Sequence, residues 1–176
     1  MTMRQFYDWQ TAGGGGDVLL LVATLERHEI PWCMIGGLAV NHWAKEPMAT
    51  ADVDLVIAAE QVDGAVKALC AAGFKAKKFK WSVNLKGRSK VSAQISTEKV
   101  YHAFPSRSVP ADIHGILMRV GSLPDTLQGK ILAWRDPERR ASKRQKDLTD
   151  ILRLVEAHPK LKKLLPADVA GKIEAA

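Results

Sequence analysis

Short apolar runs alternate along the chain with longer stretches in which apolar residues recur every three or four positions. After a polar start and the glycine run at 13–16, residues 18–29 carry Leu19, Val22, Ala23 and Glu26 at helical spacing, and Asp17 is placed to cap that helix. Pro31 ends the connection, and residues 32–35 read as a strand running into a Gly36-Gly37 turn. A short helical segment with Asn41, His42 and Trp43 follows, and then a second apolar strand over 52–58. Residues 60–72 form an amphipathic helix with Val62, Val66 and Leu69 inward, closed by Gly73. From Phe74 to Thr97 the period drops to two. Residues 80–85 and 91–95 alternate around the turn at 86–89, which predicts an antiparallel hairpin with one wet face. Residues 110–117 read as one further strand with Asp112 and His114 on a common face. The remainder is helical: 126–134, then 137 or 138 to 157 with the stripe Leu148, Ile151, Leu152 and Val155, then short segments at 160–165 and 167–175. Such alternation predicts an α/β (α+β) fold, a mixed sheet flanked by helices. Its expected divisions are a flexible terminus over 1–16, a core over 17–122 and a C-terminal helical segment over 123–176 packed on that core.

Composition narrows the class. At 176 residues, 47% hydrophobic and 26% charged, the chain is an ordinary globular protein of one domain with a small helical appendage. The first ten residues are polar, and the longest apolar run, 18–25, is far too short to span a bilayer, so a cytoplasmic location without a membrane partner is expected. Cys33 and Cys70 both lie in apolar segments and are expected as buried thiols rather than a disulfide. The net charge of +7 is uneven. No acidic residue falls between Asp63 and Glu98, where Lys67, Lys75, Lys77, Lys78, Lys80, Lys86, Arg88 and Lys90 gather. A second basic cluster holds Arg139, Arg140, Lys143, Arg144 and Lys146. Each cluster by itself is compatible with a solvated surface. The pair, beside the features below, suits a polyphosphate or a nucleic acid.

Asp52 and Asp54 stand two residues apart in the second strand. Strand side chains alternate faces, so both carboxylates project from one face, where they repel each other unless a cation lies between them. All-oxygen ligands suit a hard divalent ion, Mg²⁺ or Mn²⁺. The Gly36-Gly37 turn opening a helix offers bare backbone N–H groups to a phosphate. A phosphate cradle beside paired carboxylates predicts metal-assisted phosphoryl or nucleotidyl transfer.

These residues resemble the nucleotidyltransferase superfamily that shares its catalytic core with DNA polymerase β. Its pattern is a Gly-Gly or Gly-Ser turn, an Asp-x-Asp strand and a third carboxylate on a later strand, which Gly36-Gly37, Asp52, Asp54 and Asp112 match in order. Within it the chain is most similar to AbiEii-type proteins, which include toxins of toxin–antitoxin and abortive-infection systems. Gly36, Gly37 and Ala39, then Thr50, Asp52 and Asp54, then Lys130, and finally Lys146, Asp147 and Asp150 fit that pattern over roughly residues 18 to 156. One position departs: Met48 stands where the family has an Arg, so Lys45 or a basic residue from 75–90 would have to replace it.

The resemblance implies a two-metal attack on the α-phosphate of a nucleoside triphosphate. Asp52 and Asp54 would hold one Mg²⁺ or Mn²⁺, and Asp112 would complete a second site and serve as general base. Gly36, Gly37, Lys130 and Asp147 would bind the nucleotide, Asp147 by orienting Lys130 or by direct contact. The implied partners are the nucleoside triphosphate, an RNA or tRNA acceptor and an antitoxin protein. Other roles stay open. Lys130 and Asp147 would equally make a helix–helix ion pair, Asp112 a turn residue, and His114 a half-exposed strand residue. His42 and Trp43 would stack on a base or pack, and Asp150 is expected as a surface or capping-network residue. Two further functions compete with the enzyme: a non-catalytic nucleotide- or RNA-binding protein that keeps the fold, and a small-molecule transferase of antibiotic-modifying type, against which the basic balance argues.

Overall fold

The structure, a computed structural model, describes residues 14–174 apart from 46, 49, 51 and 114. The expectations for residues 1–13 and for His114 lie outside the described residues. The elements in order are α1 (Gly15–Arg27), β1 (Trp32–Ile35), α2 (Gly36–Ala44), β2 (Asp52–Ile57), α3 (Val62–Ala71), β3 (Lys75–Lys78), β4 (Ser82–Lys86), β5 (Ser92–Ser96), β6 (Val109–Ile113), β7 (Ile116–Val120), α4 (Leu123–Arg135), α5 (Ala141–Ala157) and α6 (Ala167–Glu174). Single 3₁₀ turns at Ala59–Gln61, Lys99–Tyr101, Pro105–Arg107 and Pro159–Leu164 join them.

The strands form one mixed seven-stranded sheet in the order β3-β4-β5-β2-β1-β7-β6, with β2 parallel to β5, β1 parallel to β7 and the other pairs antiparallel. One face carries Val53, Leu55 and Ile57 of β2, Val83 and Leu85 of β4, and Ala93 and Ile95 of β5. Together with Leu21 and Leu25 of α1 and Leu69 of α3 they make the main core. Burying such aliphatic side chains is what orders this face, each worth roughly 1.5–3 kcal/mol. The opposite face is covered over β1 and β2, where Cys33 and Val56 meet Tyr101, Phe104 and Leu132. A further cluster docks the C-terminal helices on α2: Val40 and Ala44 pack against Leu127 and Ile131 of α4 and Ile151, Leu154 and Val155 of α5. Over β3, β4 and β5 no described helix covers that second face. Gln94, Lys86, Lys75 and Lys77 on it are exposed.

Four expectations change. The buried stripe of α1 is Val18, Leu21, Val22 and Leu25, while Leu19 is 53% exposed and Ala23 also faces solvent. In an unbroken apolar run the period does not select a face, and packing against the sheet does. Asp17 does not cap α1, which begins inside the glycine run; its carboxylate accepts the Ser89 amide at 2.7 Å and so ties the β4–β5 turn to the helix. Residues 110–117 are two strands. Gly115, at φ +85°, turns β6 back into β7 and puts Ile113 opposite Ile116. Cys70 is exposed, one residue around α3 from the buried Leu69, whereas Cys33 is buried and its thiol pKa is pushed up to about 12 by that burial.

Candidate active site

The site is assembled where β1 ends. Ile35 pairs with Asp54 across the β1–β2 ladder, and the chain turns at once into α2 through Gly36. Gly36 has φ +69°, and a Cβ there would stand 2.1 Å from Asp54 Oδ2. A side chain and the carboxylate cannot share that space, so glycine is a steric requirement of the Asp54 position. At Gly37 a Cβ would come to 3.2 Å from Thr50 Oγ1. The N-terminus of α2 has no side-chain cap, and its first two residues, Gly36 and Gly37, line the cleft.

Asp52 and Asp54 share one face of β2, as their spacing predicts, and both line one cleft. Burial raises the Asp54 pKa, the charge of Asp52 raises it further, and Lys130, Arg139 and Lys143 draw it back. Lys143 Nζ stands 3.6 Å from Asp52 Oδ2. Arg140 and Lys146 line the same cleft, so its cationic rim comes from the start of α5 and the loop before it. A second lobe of the cleft runs beside Gly36 towards Glu98, Tyr101 and Asp136. Glu98 has a raised pKa, chiefly from burial and secondly from Asp136.

Behind the cleft lies a buried ion-pair network. Lys130 Nζ is 2.9 Å from Asp147 Oδ1 and 2.7 Å from Asp150 Oδ2, and all three side chains are almost wholly buried. Asp147 Oδ2 also accepts from Arg139 Nε at 2.6 Å. Asp150 pairs with Arg153 at 2.9 Å, and Arg153 reaches Asn41 Oδ1 at 3.0 Å. Asn41 in turn holds Met48 by both backbone groups, accepting its N–H at 3.0 Å and donating to its carbonyl at 2.7 Å. Despite desolvation, the two carboxylates raise the Lys130 pKa.

Gly36, Gly37, Asp52, Asp54, Lys130 and Asp147 therefore converge, lining the two lobes of one cleft. Asp112 does not join them. It is exposed on β6, the edge strand three places from β2, and its Oδ1 accepts the Gly115 amide at 2.6 Å within the hairpin turn. A second metal site and general base at Asp112 have no geometric basis. The residue beside Asp54 on the neighbouring strand is instead Gln94. Among the described residues no three His, Cys, Asp or Glu side chains come together as a metal site. Asp150 is a correction of the opposite sense, expected as a surface or capping-network residue and found buried against Lys130. His42 and Trp43 do not line the cleft; Trp43 Nε1 donates to Gly121 O at 3.0 Å, and the ring packs in the core. Met48, 41% exposed, brings no charge, and neither Lys45 nor the 75–90 cluster replaces the missing Arg in the cleft. The second basic cluster lines that cleft instead, through Arg139, Arg140, Lys143 and Lys146. Its proximity was hidden because some ninety residues separate it from Asp52.

The architecture and this cleft are those of a nucleotidyltransferase. The sequence profile described as nucleotidyl transferase AbiEii toxin, type IV TA system, matches residues 19–174, and the chain belongs to that family. Solved structures agree in fold. The antibiotic-resistance factor ANT(2″)-Ia, in complex with adenylyl-2″-tobramycin, is similar over 91% of this chain and 94% of its own, at a TM-score of 0.60 and 12% identity. An antigenic nucleotidyltransferase-like protein from Paracoccidioides brasiliensis is similar over 91% of each chain, at 0.54 and 20%. The lincosamide adenylyltransferase LnuA, bound to lincomycin, covers 80% of this chain and 97% of its own, at 0.54 and 11%. No curated protein matches by sequence. No helix among the described residues is long and apolar enough to cross a membrane.

Proposed function

We propose that this chain transfers a nucleoside monophosphate from a nucleoside triphosphate to the terminal hydroxyl of an RNA, tRNA among the candidates, using one Mg²⁺ or Mn²⁺ held by Asp52 and Asp54. The observation that carries this reading is the meeting of two like-charged carboxylates with an uncapped glycine turn, under a rim of four cations. The donor set fits a hard ion. The ligands are oxygens, Asp54 carries a raised pKa from burial and from Asp52, and phosphate oxygens of the nucleotide would complete the shell. When bound, the ion neutralises charge developing on the α-phosphate.

The other steps belong to the chain. The first amides of α2 receive the terminal phosphates, and Lys143, Arg140 and Lys146 balance the charge of the triphosphate. Arg139, fixed by Asp147, points into the same space. The acceptor oxygen attacks the α-phosphorus, the bond to the bridging oxygen of pyrophosphate breaks, and the hydroxyl proton passes to water. Lys130 is a positioning residue, since its ammonium group is already engaged by two carboxylates.

Calorimetric titration with each of the four nucleoside triphosphates and Mg²⁺, beside Asp52→Ala/Asp54→Ala, tests the reading. Metal-dependent binding that the double variant loses is expected. No binding to any of the four would leave the non-catalytic RNA-binding alternative, which the neutral Gln94 beside Asp54 favours. An aminoglycoside acceptor such as that of ANT(2″)-Ia is disfavoured by the cationic rim. The family's description as a toxin makes an antitoxin protein the corresponding partner. Growth arrest on expression, removed by Asp54→Ala, tests that role.

A further inference from the structure

The uncovered half of the sheet runs directly out of the cleft. Backbone register carries the Asp52 row across to Ser92, Lys86 and Lys75, and the Asp54 row across to Gln94, Asn84 and Lys77. These side chains stand on the face opposite the main core, and no helix among the described residues covers them; Lys75, Lys77, Lys86 and Gln94 are exposed, while Ser92 and Asn84 are half-buried. The phosphate cradle at Gly36 lies on the other side of β2, over β1. A donor seated there leaves one open approach for the acceptor, across β5 towards β3. Neighbouring strands are about 4.8 Å apart, so the path from Asp54 to β3 spans roughly 14 Å, the length of two or three nucleotides.

Its far edge carries two aromatic rings that no core claims. Phe79 is 50% and Trp81 55% exposed, and both flank the start of β4. Lys77 Nζ lies 5.1 Å from the Phe79 ring centroid and Lys80 Nζ 5.1 Å from that of Trp81. A lysine leaning on a ring steadies it, leaves the rest of the ring free and puts a positive charge at its rim. Exposed rings interleaved with lysines on an open polar sheet are the physical requirements for single-stranded nucleic acid: bases stack on the rings and phosphates meet the ammonium groups. No acidic residue falls in the 34 positions from 64 to 97; of the two that flank them, Asp63 and Glu98, Asp63 is taken up by Lys78 on the other side of β3.

We infer that the open face of β3, β4 and β5, with Phe79 and Trp81 at its edge, is the track on which the single-stranded end of the acceptor RNA lies as it enters the cleft. The inference rests on the RNA-acceptor reading above and assigns the surface that reading needs. Gln94, neutral and exposed between Asp54 and this surface, lets a nucleotide pass without repelling its phosphate.

The test is fluorescence anisotropy of a labelled twelve-nucleotide oligouridylate with the full chain, without nucleoside triphosphate, for wild type and for Trp81→Ala, Phe79→Ala and Lys77→Glu. Each side chain is exposed, so the variants are expected to fold, and circular dichroism checks this. Stacking on one base is worth about 1–3 kcal/mol, so each aromatic variant should bind about tenfold or more weakly. Lys77→Glu should also lower the salt dependence by close to one counterion. Quenching of tryptophan fluorescence by the oligonucleotide should be reduced in Trp81→Phe. Wild-type binding that all three substitutions leave unchanged would overturn the track while sparing the RNA reading. Failure of wild type to bind the oligonucleotide at all would overturn the track outright. Mg²⁺-nucleotide binding, measured in parallel and expected unchanged in all three variants, shows separately whether the transferase reading survives.

Discussion

Asp54 couples stability to function in a way that can be measured on the protein alone. Its folded-state pKa lies above the ordinary value of 3.8, for reasons of burial and of Asp52 beside it. The native state therefore holds that proton more tightly than the unfolded chain, and stability rises as pH falls through the interval between the two values. Above it, the ionised buried carboxylate is a cost. Asp54→Asn should accordingly raise Tm in metal-free buffer at neutral pH, and the gain should vanish as pH approaches 3.8. Calorimetric melts across pH check both points; a variant less stable than wild type at neutral pH would show that the carboxylate is satisfied without metal. Gly36→Ala should act on the same atom by steric means. The left-handed backbone costs about 1–3 kcal/mol, and the added Cβ would displace Asp54, so urea midpoints should fall and Mg²⁺-nucleotide binding should be lost together. Asp112→Ala should leave nucleotide binding as it was, since that side chain only closes the β6–β7 turn.

At the scale of elements, α4 and α5 are joined by charges that sequence spacing could not assign. Lys130 on one helix faces Asp147 and Asp150 on the other. Removing it leaves two buried carboxylates with one cation each, Asp147 with Arg139 and Asp150 with Arg153, and Lys130→Met should cost up to about 3–5 kcal/mol in urea denaturation, besides any effect on activity. Lys143→Met, by contrast, should leave stability within about 0.5 kcal/mol and weaken triphosphate binding, because Lys143 is 42% exposed at the cleft. That contrast separates a residue that builds the site from one that meets the ligand. The i, i+3 spacing of Asp147 and Asp150 put both on one helix face, but the stripe of Leu148, Ile151 and Leu152 drew the eye to a neighbouring face. Only a partner from another helix turns two acids into a core feature. Strand β2 and its two carboxylates were legible because period two and a two-residue spacing give one answer. The β6–β7 hairpin was not, because a lone Gly115 between apolar residues does not by itself mark a turn, which its φ of +85° makes it. Asp112 entered the chemistry through its order in the family pattern: a strand position fixes a face, but sheet order decides which faces are neighbours.

Taken as a whole, the molecule concentrates its charge where its helices leave the sheet open. The net charge of +7 was legible from composition, and so was the existence of two basic clusters. What composition could not supply was that one cluster rims the cleft from the start of α5 while Lys75, Lys77 and Lys86 of the other stand on the face of β3–β5 opposite the main core. Those positions depend on chain crossings, β5 returning beside β2 and α5 crossing back over α2, that local pattern does not encode. Because the cleft draws on β1, α2, β2, β5, α4 and α5, a ligand that fills it should stabilise the whole fold rather than one lobe. At a hundredfold excess over its dissociation constant, a nucleotide bound only by the native state contributes about 2.7 kcal/mol. For a domain of this size that corresponds to a rise in Tm of about 5–10 °C. Scanning calorimetry with Mg²⁺ and the preferred nucleoside triphosphate should show one transition moving by that amount. With Asp52→Ala/Asp54→Ala the same additions should move it by less than a degree or two. Two transitions, one fixed and one shifted, would mean that the C-terminal helices unfold apart from the sheet and that the cleft between them is not a single cooperative unit.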